Sequence, residues 1–146
     1  MSATTKKGRS IFLSYARTDQ GPAQRTADLL RKAGFQVWDP DQEILPGADW
    51  TVELKSALDS AQAMLVFISP AAMESRSVSH EIEYALGARH LSGRLIPVVV
   101  RPTKDAPWIF KLLRSVRYQG PTKTSHEIIE LLSQPADVPQ PKRRAG

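Results

Sequence analysis

The run AMLVFIS at residues 63–69 decides the fold class of this chain. Its residues do not alternate between apolar and polar, so a strand at this position buries both of its faces. Strands of that kind lie at the centre of parallel sheets, where helices cover both sides. The run therefore predicts the central strand of an α/β domain.

Apolar runs on either side of it predict four more strands, at residues 11–15, 35–38, 95–100 and 116–118. Apolar residues at helical spacing predict helices at residues 24–33, 50–61, 77–91, 109–113 and 124–132. Residues 39–49, with two prolines and one glycine, predict a polar loop. Pro97 within the fourth strand removes a ladder hydrogen bond, which indicates a strand near an edge of the sheet or a local bulge. The alternation favours a flavodoxin-like doubly wound sheet of about five mostly parallel strands with helices on both faces.

The 146-residue chain has the composition of one ordinary globular domain. The absence of cysteine excludes disulfides, thiolate metal sites and a cysteine nucleophile. With no apolar run long enough for a signal peptide or a membrane span, we expect a cytoplasmic protein without membrane contacts.

The formal net charge of +5 is concentrated at the two ends of the chain. Six basic residues lie within residues 1–9 and 134–146, which we predict to be disordered tails around a domain at residues 10–133. The body between the tails is nearly neutral, so no specific nucleic-acid partner is expected.

Several common chemistries lack their motifs in this sequence. No glycine-rich phosphate loop follows the first strand, and no serine lies in a nucleophile-elbow sequence. The three histidines, His80, His90 and His126, have no helical partner for a metal site, so neither a metal nor a cofactor is predicted. In a doubly wound sheet, ligands bind beyond the carboxyl ends of the strands, which points to the loops after Tyr15, Trp38 and Ser69.

Three groups of residues resemble the TIR (Toll/interleukin-1 receptor) domain family, of bacterial type, in order and spacing. They are IFLSYARTD at 11–19; GFQVWD at 34–39 with LPG at 45–47 and Trp50; and VFISP at 66–70 with Ser75 and VSHEI at 78–82. The similarity extends from about Ile11 to Tyr118, which is nearly the whole of the predicted domain.

The resemblance implies two kinds of function. Many TIR domains only assemble with one another, whereas others cleave the nicotinamide–ribose bond of NAD to give nicotinamide and ADP-ribose or a cyclic isomer. We expect the second kind, in bacterial defence or virulence signalling, with a sensor protein or a fused sensor domain as a further partner. The alternatives are a non-catalytic assembly module and an enzyme that cleaves a different nucleoside glycosidic bond.

Glu81 matches the glutamate that distinguishes catalytic members of the family. At 100° per residue, Glu81 falls at the edge of the apolar stripe of its helix, whereas Glu83 faces away. We therefore expect Glu81 to be half-buried beside a groove left by Ala85 and Ala88. A free glutamate has a pKa of about 4.3, so its carboxylate is expected to be ionised and to stabilise an oxocarbenium ion on the ribose.

The resemblance also implies substrate binding by Ser14, Tyr15, Arg17, Trp38 and Ser77. Arg17 is expected to pair with the diphosphate, and Trp38 to stack on a ring. The alternatives are a solvated turn for Arg17 and a core position for Trp38. Catalytic relatives often carry tryptophan where this chain has Ser77, so either another aromatic residue supplies that packing, with Trp38 as the candidate, or this member binds NAD poorly.

The polar loop at residues 39–49 is expected to gate the site. Its prolines, glycine and carboxylates favour mobility over packing, and such a loop has to move for a substrate to enter. Pro46 and Gly47 are the residues on which we expect this movement to depend.

The distribution of charge predicts head-to-tail self-association. Residues 39–59 contain six acidic residues and one basic residue, and residues 101–117 contain five basic residues and one acidic residue. In a doubly wound sheet the two segments belong to different edges, and unlike surfaces favour heterologous contacts. The expected contact residues are Asp41, Glu43, Arg114 and Arg117.

Overall fold

The computed structural model of the chain describes residues 10–44, 47–91 and 94–134, the side chain of residue 89 excepted. The predicted tails at residues 1–9 and 134–146 therefore lie outside the described residues, apart from Gln134, and so does Pro46 of the predicted gating loop. Within the described part of the chain, no helix combines the length and apolar character needed to cross a bilayer.

Five strands form one sheet: β1 (Ser10–Ser14), β2 (Gln36–Trp38), β3 (Ala63–Ile68), β4 (Leu95–Val99) and β5 (Val116–Arg117). Their order across the sheet is β2-β1-β3-β4-β5, and each neighbouring pair is parallel. All six residues of β3 are buried, as a strand covered on both faces requires. The predicted flavodoxin-like doubly wound sheet is confirmed.

Within the described residues, six α-helices accompany the strands: α1 (Gln20–Lys32), α2 (Pro40–Glu43), α3 (Trp50–Ser60), α4 (Pro70–Met73), α5 (Arg76–Gly87) and α6 (Pro121–Leu132). Short 3-10 helices cover Arg17–Asp19, Arg89–Leu91 and Trp108–Leu112. Alternate residues of β3 point to opposite sides of the sheet. Met64 and Val66 pack in one core with α3 and α5, whereas Leu65 and Phe67 pack in the other with α1 and α6.

Three local differences from the sequence prediction have simple causes. The short helix α2 interrupts the predicted loop at 39–49, because Pro40 suits a first helical position and the Asp39 side chain accepts a hydrogen bond from the Asp41 amide at 3.1 Å. Helices α1 and α6 begin before the predicted residues 24 and 124, since prolines are tolerated in a first turn. The predicted helix at 77–91 ends at Gly87 and continues only as a 3-10 turn.

Pro97 lies in β4, which is the neighbour of the edge strand β5 and therefore near an edge, as predicted. The amide of Met64 donates to the carbonyl of Arg94, and the amide of Val100 donates to that of Ile68, so even-numbered residues of β4 bond to β3. The nitrogen of Pro97 therefore faces β5, whose pairing begins only at Val98. The missing donor lies where the neighbouring strand has not yet begun, so no ladder bond is lost.

Candidate functional site

A cavity of about 180 Å³ lies beyond the carboxyl ends of β1 and β2, next to the first turns of α5. The side chains that line it come from four separate elements and their flanking residues. They are Leu13, Tyr15, Pro40, Asp41, Trp50, Ser77 and Glu81. The sheet places them together because the loops that follow parallel strands meet at one edge.

Glu81 is the acid that α5 presents to this cavity. The Ser75 side chain caps α5 by accepting a hydrogen bond from the Val78 amide, which fixes the start of the helix. From there, helical periodicity buries Glu81, at 3% exposure, whereas Glu83 is exposed. Glu81 is more deeply buried than the half-burial expected from the sequence, because its carboxylate also meets the end of β1. There Ser14 Oγ donates a hydrogen bond to Glu81 Oε1 at 2.5 Å.

The groove beside Glu81 lies on the opposite side from the one predicted. Neither Ala85 nor Ala88 lines the cavity, and Ser77, one turn before Glu81, does. Helical side chains lean towards the N-terminus of their helix, so each covers the turn that precedes its own Cα. The small residue that leaves room for a ligand is therefore Ser77.

The pKa of Glu81 is far from that of a free glutamate. The pKa is raised to about 7, chiefly by burial; the hydrogen bond from Ser14 opposes this rise, and the charges of Asp41 and Asp39 add to it. At neutral pH the carboxyl group is thus divided between its charged and neutral forms, which corrects the expectation of full ionisation. Such a group takes up or releases a proton readily at the pH of the cell.

A hydrogen-bond network holds the wall that faces Glu81. Tyr15 Oη donates to the buried Asp39 carboxylate at 2.9 Å, and Gln24 Nε2 donates to the same carboxylate and to Tyr15 Oη. Burial, followed by the hydrogen bond and charge of Asp39, raises the pKa of Tyr15, so its phenol stays a proton donor. Asp39 also caps α2 and thereby fixes the position of Asp41 on the cavity wall.

A second buried acid, Asp19, takes no part in the cavity lining. Ser69 Oγ donates to its Oδ2 at 2.5 Å, and an Arg101 nitrogen lies 3.8 Å from its Oδ1. These contacts tie together the segments that follow β1, β3 and β4. Among the described residues, the buried acids are therefore Asp19 and Asp39, each held by neighbouring side chains, and Glu81, which faces the cavity.

Tyr15 lines the cavity as expected, but the tryptophan in the lining is Trp50 and not Trp38. Trp38 pairs with Phe12 in the sheet register and stacks on it with ring centroids 5.2 Å apart, which is the core alternative. Trp50, at the first position of α3, lines the cavity with 38% exposure. No local sequence pattern marks Trp50 as a cavity residue, because its place there depends on how α3 packs against distant segments. Arg17 is exposed and does not line the cavity.

The predicted contact residues lie at opposite edges of the sheet. Asp41 and Glu43 belong to α2, which follows the edge strand β2, and Arg117 belongs to the other edge strand, β5. Arg114 precedes β5 and donates a hydrogen bond to Gln134. Asp41 has a second environment, because it also lines the cavity.

Gly47 of the predicted gating loop has a φ of +88°, a conformation that favours glycine. In the described part of the chain, no group of three or more His, Asp, Glu or Cys side chains is arranged to hold a metal ion.

Comparisons with known proteins agree with this architecture. A sequence model of the TIR domain matches residues 11–132. The chain is 28% identical over 102 residues to a 2′ cyclic ADP-D-ribose synthase, BtTIR, from Bacteroides thetaiotaomicron, across 68% of this chain and 35% of that protein. It is 25% identical over 132 residues to a stimulator of interferon genes protein from Magallana gigas, across 87% of this chain and 32% of that protein.

A solved structure shares the fold at low sequence identity. The TIR domain of the Toll-related receptor TRR-2 from Hydra magnipapillata aligns with a TM-score of 0.71 at 15% identity, over 85% of this chain and 98% of that one. The chain spans about a third of the length of the two curated relatives described above.

Proposed function

The chain belongs to the TIR domain family, and on that basis we propose that it is an NAD nucleosidase with Glu81 as its catalytic residue. It cleaves the nicotinamide–ribose bond to give nicotinamide and ADP-ribose or a cyclic ADP-ribose isomer. We place it in the cytoplasm of a bacterium, in defence or virulence signalling. The observation that carries the proposal is a buried carboxylate, oriented by Ser14, on the wall of a cavity at the carboxyl ends of the strands.

The reaction asks little of the protein beyond a positioned negative charge. When the bond between ribose C1′ and the pyridinium nitrogen breaks, its electron pair goes to the ring, and nicotinamide leaves as a neutral molecule. Positive charge develops on the ribose as an oxocarbenium ion, which the Glu81 carboxylate stabilises. Water then forms the new bond to C1′ and loses a proton, and with a pKa of about 7 Glu81 is able to receive it. In cyclisation, an adenine nitrogen of the substrate takes the place of the water.

The size of the cavity limits which part of the substrate it holds. At about 180 Å³ it is smaller than the roughly 300 Å³ at which pockets for drug-sized ligands begin. It has room for the nicotinamide ring and the start of the ribose, while the diphosphate and adenosine lie outside. Arg17, exposed just beyond Tyr15, is placed to pair with a diphosphate that leaves the cavity on that side.

A second copy of the chain completes the site in this proposal. The acidic segment after β2 and the basic segment around β5 lie at opposite edges of one sheet. Contact between unlike edges repeats head to tail, and the neighbouring copy then covers the part of NAD that the small cavity leaves exposed.

The relative from Bacteroides thetaiotaomicron supports the reaction class, because its name is that of a cyclic ADP-D-ribose synthase. The second candidate is a non-catalytic assembly module. Two large apolar side chains on the 3-10 helix before β5 favour it, because Trp108 is 72% exposed and Leu112 is 55% exposed. Large apolar side chains exposed within one five-residue helix are the kind of surface that protein contacts bury.

One assay separates these candidates. Purified protein at high concentration is incubated with NAD, and NAD loss and nicotinamide release are followed by chromatography. We expect release by the wild type, loss of release in Glu81→Gln, and unchanged release in Glu83→Gln, whose side chain is exposed on the same helix. Failure of the wild type to release nicotinamide at any concentration would leave the assembly module.

A further inference from the structure

Trp50 and Ser77 line the same small cavity as Glu81, although they come from different helices. Ser77 contributes a small side chain, so α5 itself presents no aromatic surface to the cavity, and the aromatic side chains in the lining are Tyr15, whose hydroxyl is bonded to Asp39, and Trp50. Trp50 supplies such a surface from the start of α3, where the capping bond from the Val52 amide to the Asp49 side chain fixes the helix end. Its exposure of 38% shows that part of the indole is open to a ligand.

The charge of the lining gives a second, independent observation. Among the described residues that line the cavity, Asp41 and Glu81 are acidic and none is basic. A tryptophan face is also the best aromatic partner for a cation, because the ring carries a negative quadrupole. A flat aromatic surface and two carboxylates in one small cavity favour a flat ring with a positive charge.

We propose that Trp50 is the residue against which the ligand ring binds, and that the cavity selects N-substituted pyridinium cations over uncharged rings of the same shape. The inference rests on the proposed function and assigns to it a specificity residue. The oxidised nicotinamide ring of NAD is such a cation. The reduced ring of NADH and free nicotinamide have the same outline without the charge, so the cavity discriminates against both. The product ring therefore binds more weakly than the substrate ring.

A binding experiment tests the inference without any turnover. The chain contains three tryptophans, so Trp38→Phe combined with Trp108→Phe leaves Trp50 as the sole indole. Titration with 1-methylnicotinamide, a permanent pyridinium cation, should quench Trp50 fluorescence to a plateau, and neutral nicotinamide should need at least tenfold higher concentrations. A protein that keeps only Trp108, which is 72% exposed and outside the cavity, should show linear collisional quenching. Linear quenching of Trp50, or equal titrations with the two compounds, would overturn the inference.

Kinetics of NAD cleavage supply the second test. The contact between the cation and the indole exists in the ground state, before the bond breaks. Removing the indole therefore weakens substrate binding and does not slow the chemical step. Because the charge leaves the ring as the bond breaks, Trp50→Ala should raise KM roughly tenfold without lowering kcat, and Trp50→Phe should stay near the wild type. Adding Ser77→Trp to Trp50→Ala should restore part of the lost affinity, because it returns an aromatic face to the same cavity. If Trp50 has only a structural role, Trp50→Ala should lower the melting temperature, and adding Ser77→Trp should restore no affinity. That result would overturn the inference.

The two experiments also distinguish the inference from the function on which it rests. Saturable quenching by the cation in a protein that never consumes NAD would remove the nucleosidase proposal and keep the cation site. NAD cleavage that depends on Glu81 but is indifferent to Trp50→Ala would keep the nucleosidase and remove the cation site.

Discussion

The hydroxyl oxygen of Ser14 lies 2.5 Å from Oε1 of Glu81, so the last residue of β1 holds the carboxyl group that α5 carries into the cavity. The two residues are 67 positions apart in the chain. This bond orients the carboxyl group and stabilises its charged form, against the burial that raises its pKa. The Ser14 hydroxyl thus sets how much of Glu81 is ionised at neutral pH.

Replacing Ser14 should shift the pH dependence of the reaction. In the wild type, kcat/KM should rise with pH and level off above about pH 7, where Glu81 becomes ionised. In Ser14→Ala the charged form of Glu81 loses its hydrogen-bond donor, so the pKa of Glu81 rises. The rising limb of the kcat/KM profile should then move to higher pH by about one unit. Ser125→Ala is the matched control, since it removes a buried serine of α6 that bonds only to the Thr122 carbonyl. If kcat/KM rises over the same pH range in the wild type, Ser14→Ala and Ser125→Ala, Ser14 does not have this role.

Glu81→Gln should make the fold more stable at alkaline pH. The pKa of Glu81 is raised from 4.5 in the unfolded chain to about 7 in the folded one, so the folded state holds the proton more tightly between these values. Stability therefore falls as pH rises through this window, by up to about 3 kcal/mol, and the loss is complete above pH 7. Urea unfolding at pH 5 and pH 8 should show a smaller fall in Glu81→Gln than in the wild type. Glu83→Gln should behave as the wild type, and a fall of equal size in all three would contradict the buried acid.

Gly47→Ala should change NAD turnover without unfolding the domain. A Cβ at this position meets no atom within 4 Å, so the added strain is that of the backbone at φ +88°, about 1–2 kcal/mol. Gly120→Ala imposes the same kind of strain at φ +90°, before α6 and away from the cavity, and should leave turnover unchanged. Replacing Pro46 should alter turnover in the same way as Gly47→Ala. Equal turnover in all these variants would exclude a gating role for the loop.

Specific activity should rise steeply with protein concentration and fall with added salt. Exposed charges are screened beyond about 8 Å at physiological ionic strength, so the contact between unlike edges is weak when the protein is dilute. Arg117→Glu should lower activity, and Glu43→Arg should partly restore it. Reversal at Arg114 or Asp41 is less clean, since the first bonds to Gln134 and the second lines the cavity. Specific activity that is constant over a wide concentration range would remove the assembly proposal.

The sequence predicted those features that depend on local pattern. The run at residues 63–69 gave the central strand because burial on both faces leaves an unbroken apolar run. The four residues of α2 are too few to show a helical period, so the sequence pattern predicted a loop for that segment. The direction of Trp38 was missed because it depends on register: Trp38 pairs with Phe12 and so shares its face of the sheet. The position of Trp50 in the cavity depends on how distant segments pack, which no local pattern records.

The two walls of the cavity also differ in their stability against unfolding. Pro40 and Asp41 belong to α2, which directly follows β2 in the chain. Strand β2 is an edge strand of three residues and pairs with β1. Glu81 belongs to α5, which packs over the buried central strand. Detaching β2 breaks three residue pairings, whereas exposing β3 requires the domain to unfold. Backbone amides of β2 should therefore exchange with deuterium through a local opening, and those of β3 only through global unfolding. The wall formed by α5 is therefore as stable as the domain itself. The wall formed by α2 can unfold and refold locally while the rest of the domain stays folded.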